Sequence, residues 1–293
     1  MSSRSEVLTP ALLRDWSLPK VGDSKYGRGD VLVIGGARAT PGAALLAGLA
    51  ALRMGAGRLS LGVAESVAVA LAVALPEAGV TGVAETSTGV VSGGGVRALA
   101  DSVASADALL IGPGLDDGDE TAKLLDAVIG LLGAHTTAVL DAYALGALAQ
   151  LGGNDELSGR LVLTPNPGEA RMLLDTEVGD SVEERAEAAV EIARRFGAVV
   201  SCQGVVADTD ANTWLSSTGH GGLATSGSGD VLAGSVTGLV ARGASLPQAA
   251  CWATHLHAVA GDRLAARVGP TGFLARELLD ELPVVLTELT TSS

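Results

Sequence analysis

Short apolar runs that stop abruptly at glycine, aspartate or proline recur along this chain, each followed by a longer Ala-, Leu- or Val-rich stretch. Val31-Leu32-Val33-Ile34 stops at Gly35, and residues 58–63 run into an Ala/Val segment from Glu65. Ala108-Leu109-Leu110-Ile111 stops at Gly112-Pro113-Gly114, Ala138-Val139-Leu140 at Asp141, Leu161-Val162-Leu163 at Thr164-Pro165-Asn166, and residues 198–202 at Gln203-Gly204. A run without polar alternation fits a strand buried on both faces, the usual state in a parallel sheet. The intervening stretches predict helices: a short lead over 9–18, one from Pro41 to about Met54, an amphipathic one over 183–196, an apolar one over 231–240 and a long one over 246–267. Strand-then-helix alternation predicts an α/β fold, a mostly parallel central sheet with helices on both faces. No Pro-rich spacer, charge block or repeat interrupts it, so one domain over 1–293 is expected.

Composition sharpens this picture. Hydrophobic residues make up 47% of the chain but aromatics only 2%, so the core must be built from small aliphatic side chains and its helices and sheet must pack closely. The net charge of -14 argues against a nucleic-acid binder, which needs a basic surface. A small phosphorylated ligand stays allowed, because local amides, a metal ion and a few cations act at short range. Cys202 and Cys251 sit in apolar surroundings without Cys-x-x-Cys spacing, so buried free thiols in a reducing, cytoplasmic setting are expected. Residues 1–15 are charged and lack a signal-peptide core, and uncharged apolar runs such as 41–52 and 66–76 are too short to span a bilayer. A soluble protein that uses no membrane is the expectation.

In open parallel sheets ligands sit outside the carboxyl ends of the strands. The unusual strand ends all fall at that edge: 35–44, 112–114, Asp141, 166–169 and Gln203-Gly204. One further stretch joins them, Gly219-His220-Gly221-Gly222-Leu223-Ala224-Thr225-Ser226-Gly227-Ser228-Gly229-Asp230, which runs into the apolar helix. If that helix starts near Ser228, the amides of Gly227, Ser228 and Gly229 point from its N-terminus and favour an anion. Asp230 beside them suits a base or a metal ligand; the alternative is a flexible loop whose Asp complements the helix terminus. Neither Gly-x-Gly-x-x-Gly nor a P-loop is present. His255 and His257, two apart on a helix, point to different faces and make a poor metal pair, so packing or surface roles are expected. Trp214 is expected to pack in the sheet, with stacking on a base as the alternative. Asp116 and Asp117 are expected to start a helix.

Five blocks in order carry a resemblance: Pro41-Gly42-Ala43-Ala44-Leu45-Leu46-Ala47-Gly48, Ile111-Gly112-Pro113-Gly114-Leu115, Leu140-Asp141-Ala142-Tyr143-Ala144-Leu145, Leu163-Thr164-Pro165-Asn166-Pro167-Gly168-Glu169 and Gly227-Ser228-Gly229-Asp230-Val231-Leu232-Ala233-Gly234. Together they resemble the ADP-dependent NAD(P)H-hydrate dehydratases of the ribokinase-like superfamily, over residues 25–283. The resemblance implies a ribokinase-like fold and dehydration of the S epimer of hydrated NADH or NADPH. ADP (or ATP) would be consumed, AMP (or ADP) and phosphate released, and Mg2+ would assist.

By motif, Ala43, Gly114, Asn166 and Asp230 would line the hydrate site, with Asp230 catalytic. Gln203, Gly204, Val205, Val206, Ala207, Gly227, Ser228 and Gly229 would hold the nucleotide. A homo-oligomer is implied too, and a separate epimerase polypeptide to supply the S epimer. The chain departs from the family at three places: Asn166 replaces a histidine, Gln203 replaces a lysine, and the loop over 205–212 is shorter. Two other readings share the Asp230 site, a small-molecule kinase acting on a vitamin or sugar hydroxyl and a non-catalytic nucleotide-binding relative.

Overall fold

The computed structural model describes residues 4–153, 155–219 and 221–291. In chain order the elements are β1 (Ser5–Leu8), α1 (Pro10–Asp15), β2 (Asp30–Ile34), α2 (Pro41–Arg53), β3 (Arg58–Ala64), α3 (Glu65–Ala74), β4 (Ala78–Val83), α4 (Ala100–Ser105), β5 (Ala108–Ile111) and α5 (Gly118–Ile129). They continue with β6 (Thr137–Leu140), α6 (Tyr143–Gln150), β7 (Leu161–Leu163), α7 (Pro167–Leu174), α8 (Val182–Phe196), β8 (Val199–Cys202), β9 (Val205–Ala207), β10 (Thr213–Ser216), α9 (Ser228–Ala241), α10 (Leu246–Arg267) and α11 (Ala275–Thr291). One ten-stranded sheet has the order β1-β10-β9-β8-β7-β6-β5-β2-β3-β4. Every pairing is parallel except those of β9 with β8 and with β10.

The uninterrupted apolar runs are explained by two cores, one on each face of the sheet. Val31 and Val33 of β2, Leu110 of β5, Val139 of β6 and Val162 of β7 enter the core shared with α2, α9, α10 and α11. Their neighbours Leu32, Ile34, Leu109, Ile111, Leu140, Leu161 and Leu163 enter the core shared with α5, α6, α7 and α8. Alternate side chains point to opposite faces, and here both faces are covered, so the central positions of these strands are apolar.

The scarcity of aromatics shows most clearly where α2 meets α9. A Cβ added at Gly234 would lie 2.1 Å from the Ala47 carbonyl oxygen, and one at Gly238 would lie 2.4 Å from that of Ala51. Residues four apart share a helix face, so Gly234 and Gly238 form a groove into which the Ala47–Ala51 ridge of α2 fits with backbone touching backbone.

Several elements differ from the sequence reading. The first helix ends at Asp15, because the Trp16 carbonyl turns aside to accept bonds from Trp252 Nε1 (3.0 Å) and Gln248 Nε2 (3.0 Å). β1 and β4, the two edge strands, are only partly buried, so they lack the apolar run that marked the central strands. The long helix runs over the expected residues, and Asp117 caps α5 by accepting from the Glu120 amide. Trp214 is buried and stacks on Trp16 with ring centroids 5.8 Å apart, which commits its face to packing. Both cysteines are buried and free. Among the described residues no helix is long and apolar enough to cross a membrane.

Candidate active site

β2, β5, β6, β7 and β8 are mutually parallel, so the strand ends singled out in the sequence share one edge of the sheet. The loop after β2 is fastened to the loop after β5: the Gly36 amide donates to Pro113 O, the Ala37 amide to Gly114 O and the Thr40 hydroxyl to Gly114 O, each at 2.8 Å. Gly114 adopts φ +72°, and a Cβ there would lie 2.4 Å from Thr40 O and 3.0 Å from the Ala43 Cβ. A glycine is therefore required where the two loops touch, and Ala43 and Gly114 form one continuous wall.

Behind that wall β6 ends in Asp141, which is 6% exposed. Its Oδ1 accepts from the Thr164 hydroxyl at 2.8 Å. Burial pushes its pKa up to about 7; the Thr164 bond pulls the other way, and the charges of Glu169 and Asp230 add to the rise. Ala142, the next residue, has φ +50° and ψ -125°, a conformation that glycine tolerates and alanine does not. The Ala144 amide closes the turn on Asp141 O at 3.1 Å. Ala142→Gly is thus expected to raise stability by about 1 kcal/mol, relief of strain outweighing the extra freedom of the unfolded chain; a lower thermal midpoint in calorimetry would contradict the strain.

Asn166 caps α7. Its Oδ1 accepts from the Glu169 amide at 3.0 Å, and Glu169 Oε2 accepts from the Asn166 amide at 2.8 Å, a reciprocal capping box. The replacement of histidine by asparagine therefore has a local structural consequence: asparagine is among the best N-cap residues. Burial raises the pKa of Glu169, opposed by the bond from the Asn166 amide.

Gln203 and Gly204 form the two-residue turn between β8 and β9, with φ +44° and +81°. Both are on the strand-end side, and Gln203 is exposed. Val205, Val206 and Ala207 are buried and paired on both sides, to β8 and to β10, so their side chains face the cores. Any contact with a ligand in this segment is left to the turn.

α9 begins at Ser228, with Gly227 as a left-handed N-cap at φ +89° that makes no side-chain cap bond. Of the three amides expected to be free, that of Ser228 is engaged, donating to Thr225 O at 3.2 Å. Ser228 is also 3% exposed, and its hydroxyl lies 2.9 Å from His257 Nε2. The amides of Gly227, Gly229 and Asp230 have no acceptor among the described residues. The cradle is thus shifted by one residue at its C-terminal side. A Cβ at Gly227 would lie 2.6 Å from Leu46 Cδ1 and 3.8 Å from Asp230 Oδ2, so the cradle, α2 and the Asp230 carboxylate are adjacent. Burial alone pushes Asp230 up to about 6. His220, part of the glycine-rich stretch, lies outside the described residues.

The structure thus sets Gly114 against Ala43 and Gly227 against Leu46 of α2 and Asp230, with Asp141 close enough for its charge to act on Asp230 and Glu169. The side chains of Val205–Ala207 and the amide of Ser228 are engaged elsewhere. Two pairings escaped the sequence reading, although Thr164 stands out at its strand end and His257 is expected to pack or face solvent. Thr164 was legible as a polar strand end but not as the partner of Asp141. His257 gave no local signal, lying 29 residues from Ser228.

The fold is ribokinase-like: the crystal structure of a ribokinase-like superfamily protein from Enterococcus faecalis superposes with a TM-score of 0.81 at 22% identity, covering 97% of this chain and 96% of that one. Within that class, the family model described as NAD(P)H-hydrate dehydratase matches residues 31–284. The ADP-dependent (S)-NAD(P)H-hydrate dehydratase of Xanthomonas campestris is 42% identical over 289 residues, 98% of each chain. The bifunctional NAD(P)H-hydrate repair enzyme Nnr of Moorella thermoacetica is 39% identical over 90% of this chain, which spans about half (50%) of that enzyme's length. The crystal structure of the ADP/ATP-dependent NAD(P)H-hydrate dehydratase of Bacillus subtilis, co-crystallised with ATP/Mg2+, superposes with a TM-score of 0.79 at 30% identity, covering 97% of this chain and 98% of that one. The chain belongs to the NAD(P)H-hydrate dehydratase family.

Proposed function

We infer that this protein is an ADP- or ATP-dependent (S)-NAD(P)H-hydrate dehydratase that returns hydrated NADH or NADPH to the reduced dinucleotide. The observation that carries the reading is the Asp230 carboxylate held partly buried beside the open amides of Gly227 and Gly229, at the edge where Ala43 and Gly114 form a wall. A small-molecule kinase would use the same parts. The likeness over 98% of both chains to a dehydratase favours dehydration over a kinase product.

In this reading Asp230 takes the proton of the hydrate's ring hydroxyl as that oxygen attacks the terminal phosphoryl group. The amides at the start of α9 receive the charge that develops on the phosphoryl oxygens, in place before the reaction begins. Phosphate then leaves where hydroxide would not, pushed by the lone pair of the ring nitrogen, and loss of a proton from the adjacent ring carbon forms the double bond of the reduced dinucleotide. Among the described residues no three side chains of metal-ligating type converge. Mg2+ is commonly held by nucleotide phosphates and one or two carboxylates; Asp141 and Glu169, whose charges act on each other, would be the carboxylates to hold it, and the ion would neutralise phosphate charge.

The deciding experiment is turnover with the S epimer of NADH hydrate and ADP or ATP in the presence of Mg2+, read as the return of reduced-nicotinamide absorbance. A stable phosphorylated product without that return would replace the dehydratase by a kinase.

Gln203 tests the nucleotide side. Lysine and glutamine pay the same cost for the left-handed turn, so Gln203→Lys changes charge without changing backbone strain. Charge-assisted hydrogen bonds are roughly twice as strong as neutral ones, and the substitution is expected to tighten ADP or ATP binding by about 1 kcal/mol. Calorimetric titration of both proteins at one salt concentration measures it; equal affinities would detach this turn from the phosphates.

A further inference from the structure

We propose that His257 is a positioning residue for phosphoryl transfer: from α10 its Nε2 clamps Ser228, the first residue of α9, and so fixes the aim of the flanking amides and of Asp230. The proposal rests on the phosphoryl-transfer reading above. His257 and Ser228 are both buried, and the imidazole Nε2 lies 2.9 Å from the Ser228 hydroxyl and 3.0 Å from the Ser228 carbonyl oxygen.

The chemistry of these contacts assigns the proton. A carbonyl oxygen only accepts, so a nitrogen 3.0 Å from it must carry hydrogen. Nε2–H therefore donates to Ser228 O. Burial keeps the ring neutral, with a pKa near 4, so Nδ1 carries no proton. A neutral ring suits the position, because a cation inside the first turn of α9 would oppose the positive end of the helix dipole.

The backbone of Ser228 is then held at both ends, its amide by Thr225 O and its carbonyl by His257 Nε2–H, and its hydroxyl oxygen lies 2.9 Å from the same nitrogen. The residues on either side are the reverse. Gly227 and Gly229 lack side chains, and the amides of Gly227, Gly229 and Asp230 have no acceptor among the described residues. Two glycines on a segment with free amides leave a backbone with many accessible orientations. One buried anchor between them removes that freedom from the inside, where no ligand is displaced. Transition-state stabilisation by amides depends on their being aimed before the charge develops, and misplacement by about 1 Å costs on the order of a hundredfold. His257 supplies the aim without touching substrate.

The test compares three variants of the full chain in the dehydratase assay, each with its melting temperature. His257→Leu removes the donor. His257→Gln carries an amide N–H at about the reach of Nε2. His257→Asn is equally polar but too short to meet Ser228 O. Expected are a loss of about ten- to a hundredfold in kcat for His257→Leu and His257→Asn at saturating nucleotide and hydrate, and recovery to within a few-fold of wild type for His257→Gln. Nucleotide Kd should move less than kcat, because the amides matter most in the transition state.

If His257→Leu fails to fold, the Gln and Asn pair decides alone. Equal kcat for Gln and Asn, or a loss seen only in melting temperature, overturns the proposal. A wild-type protein without turnover overturns the dehydratase reading instead, and ADP binding by titration calorimetry, weakened in His257→Asn but not in His257→Gln, then still supports the clamp.

Discussion

Asp230→Asn is expected to keep its fold and lose at least about a hundredfold in turnover, the usual contribution of a positioned proton acceptor. The amide fills nearly the same volume but cannot take the hydroxyl proton. Two further readouts separate this from simple damage. Burial places Asp230 near pKa 6, so wild-type turnover should rise with pH through about 6 and level off above it, and the variant should lose that inflection. The stability change runs the other way. A carboxyl whose folded pKa lies above its unfolded value of about 3.9 binds more protons in the folded state between those values, so its ionisation costs stability as pH rises through that window. At pH 8 the amide is therefore expected to be more stable than wild type by about 1–2 kcal/mol. A variant retaining more than about a tenth of wild-type turnover would remove Asp230 from the chemistry.

Gly234→Val is expected to have the largest effect on folding. The added Cβ meets the Ala47 carbonyl at 2.1 Å and the Ala47 Cα at 2.8 Å, both backbone atoms that cannot swing away. The helices must separate, and overpacking of this kind costs about 3 kcal/mol or more. Separating α2 from α9 also moves Ala43, at the start of one helix, away from Asp230, at the start of the other. Residual folded protein should thus be less active per molecule as well as less stable. Denaturant unfolding with a midpoint equal to wild type would show that the two helices are not in backbone contact.

The central architecture was legible because its cause is local in sequence. A strand covered on both faces favours an unbroken apolar run, and the runs at Val31, Ala108, Ala138 and Leu161 state that condition directly. Their abrupt ends were legible for the same reason, since Gly112, Gly114 and Gly227 stand where a Cβ would strike a neighbouring loop or helix. The edge strands β1 and β4 were not legible, because a strand half open to solvent has no such pattern.

What the sequence by itself determined was the layered α/β fold, the edge at which the candidate site lies, and the presence there of Asp230 and the glycine-rich helix start. Only the tertiary structure decided which amides of that start are free, because Ser228 is claimed by Thr225 from its own loop and by His257 from a helix 29 residues on. Only the structure placed Thr164 on Asp141, and Asn166 in the cap of α7, since these depend on where a strand end or a helix start directs a side chain. The carboxylates of Asp141 and Asp230 look alike in sequence. Their raised pKa values are set by burial, which belongs to the packed protein and not to any stretch of its chain.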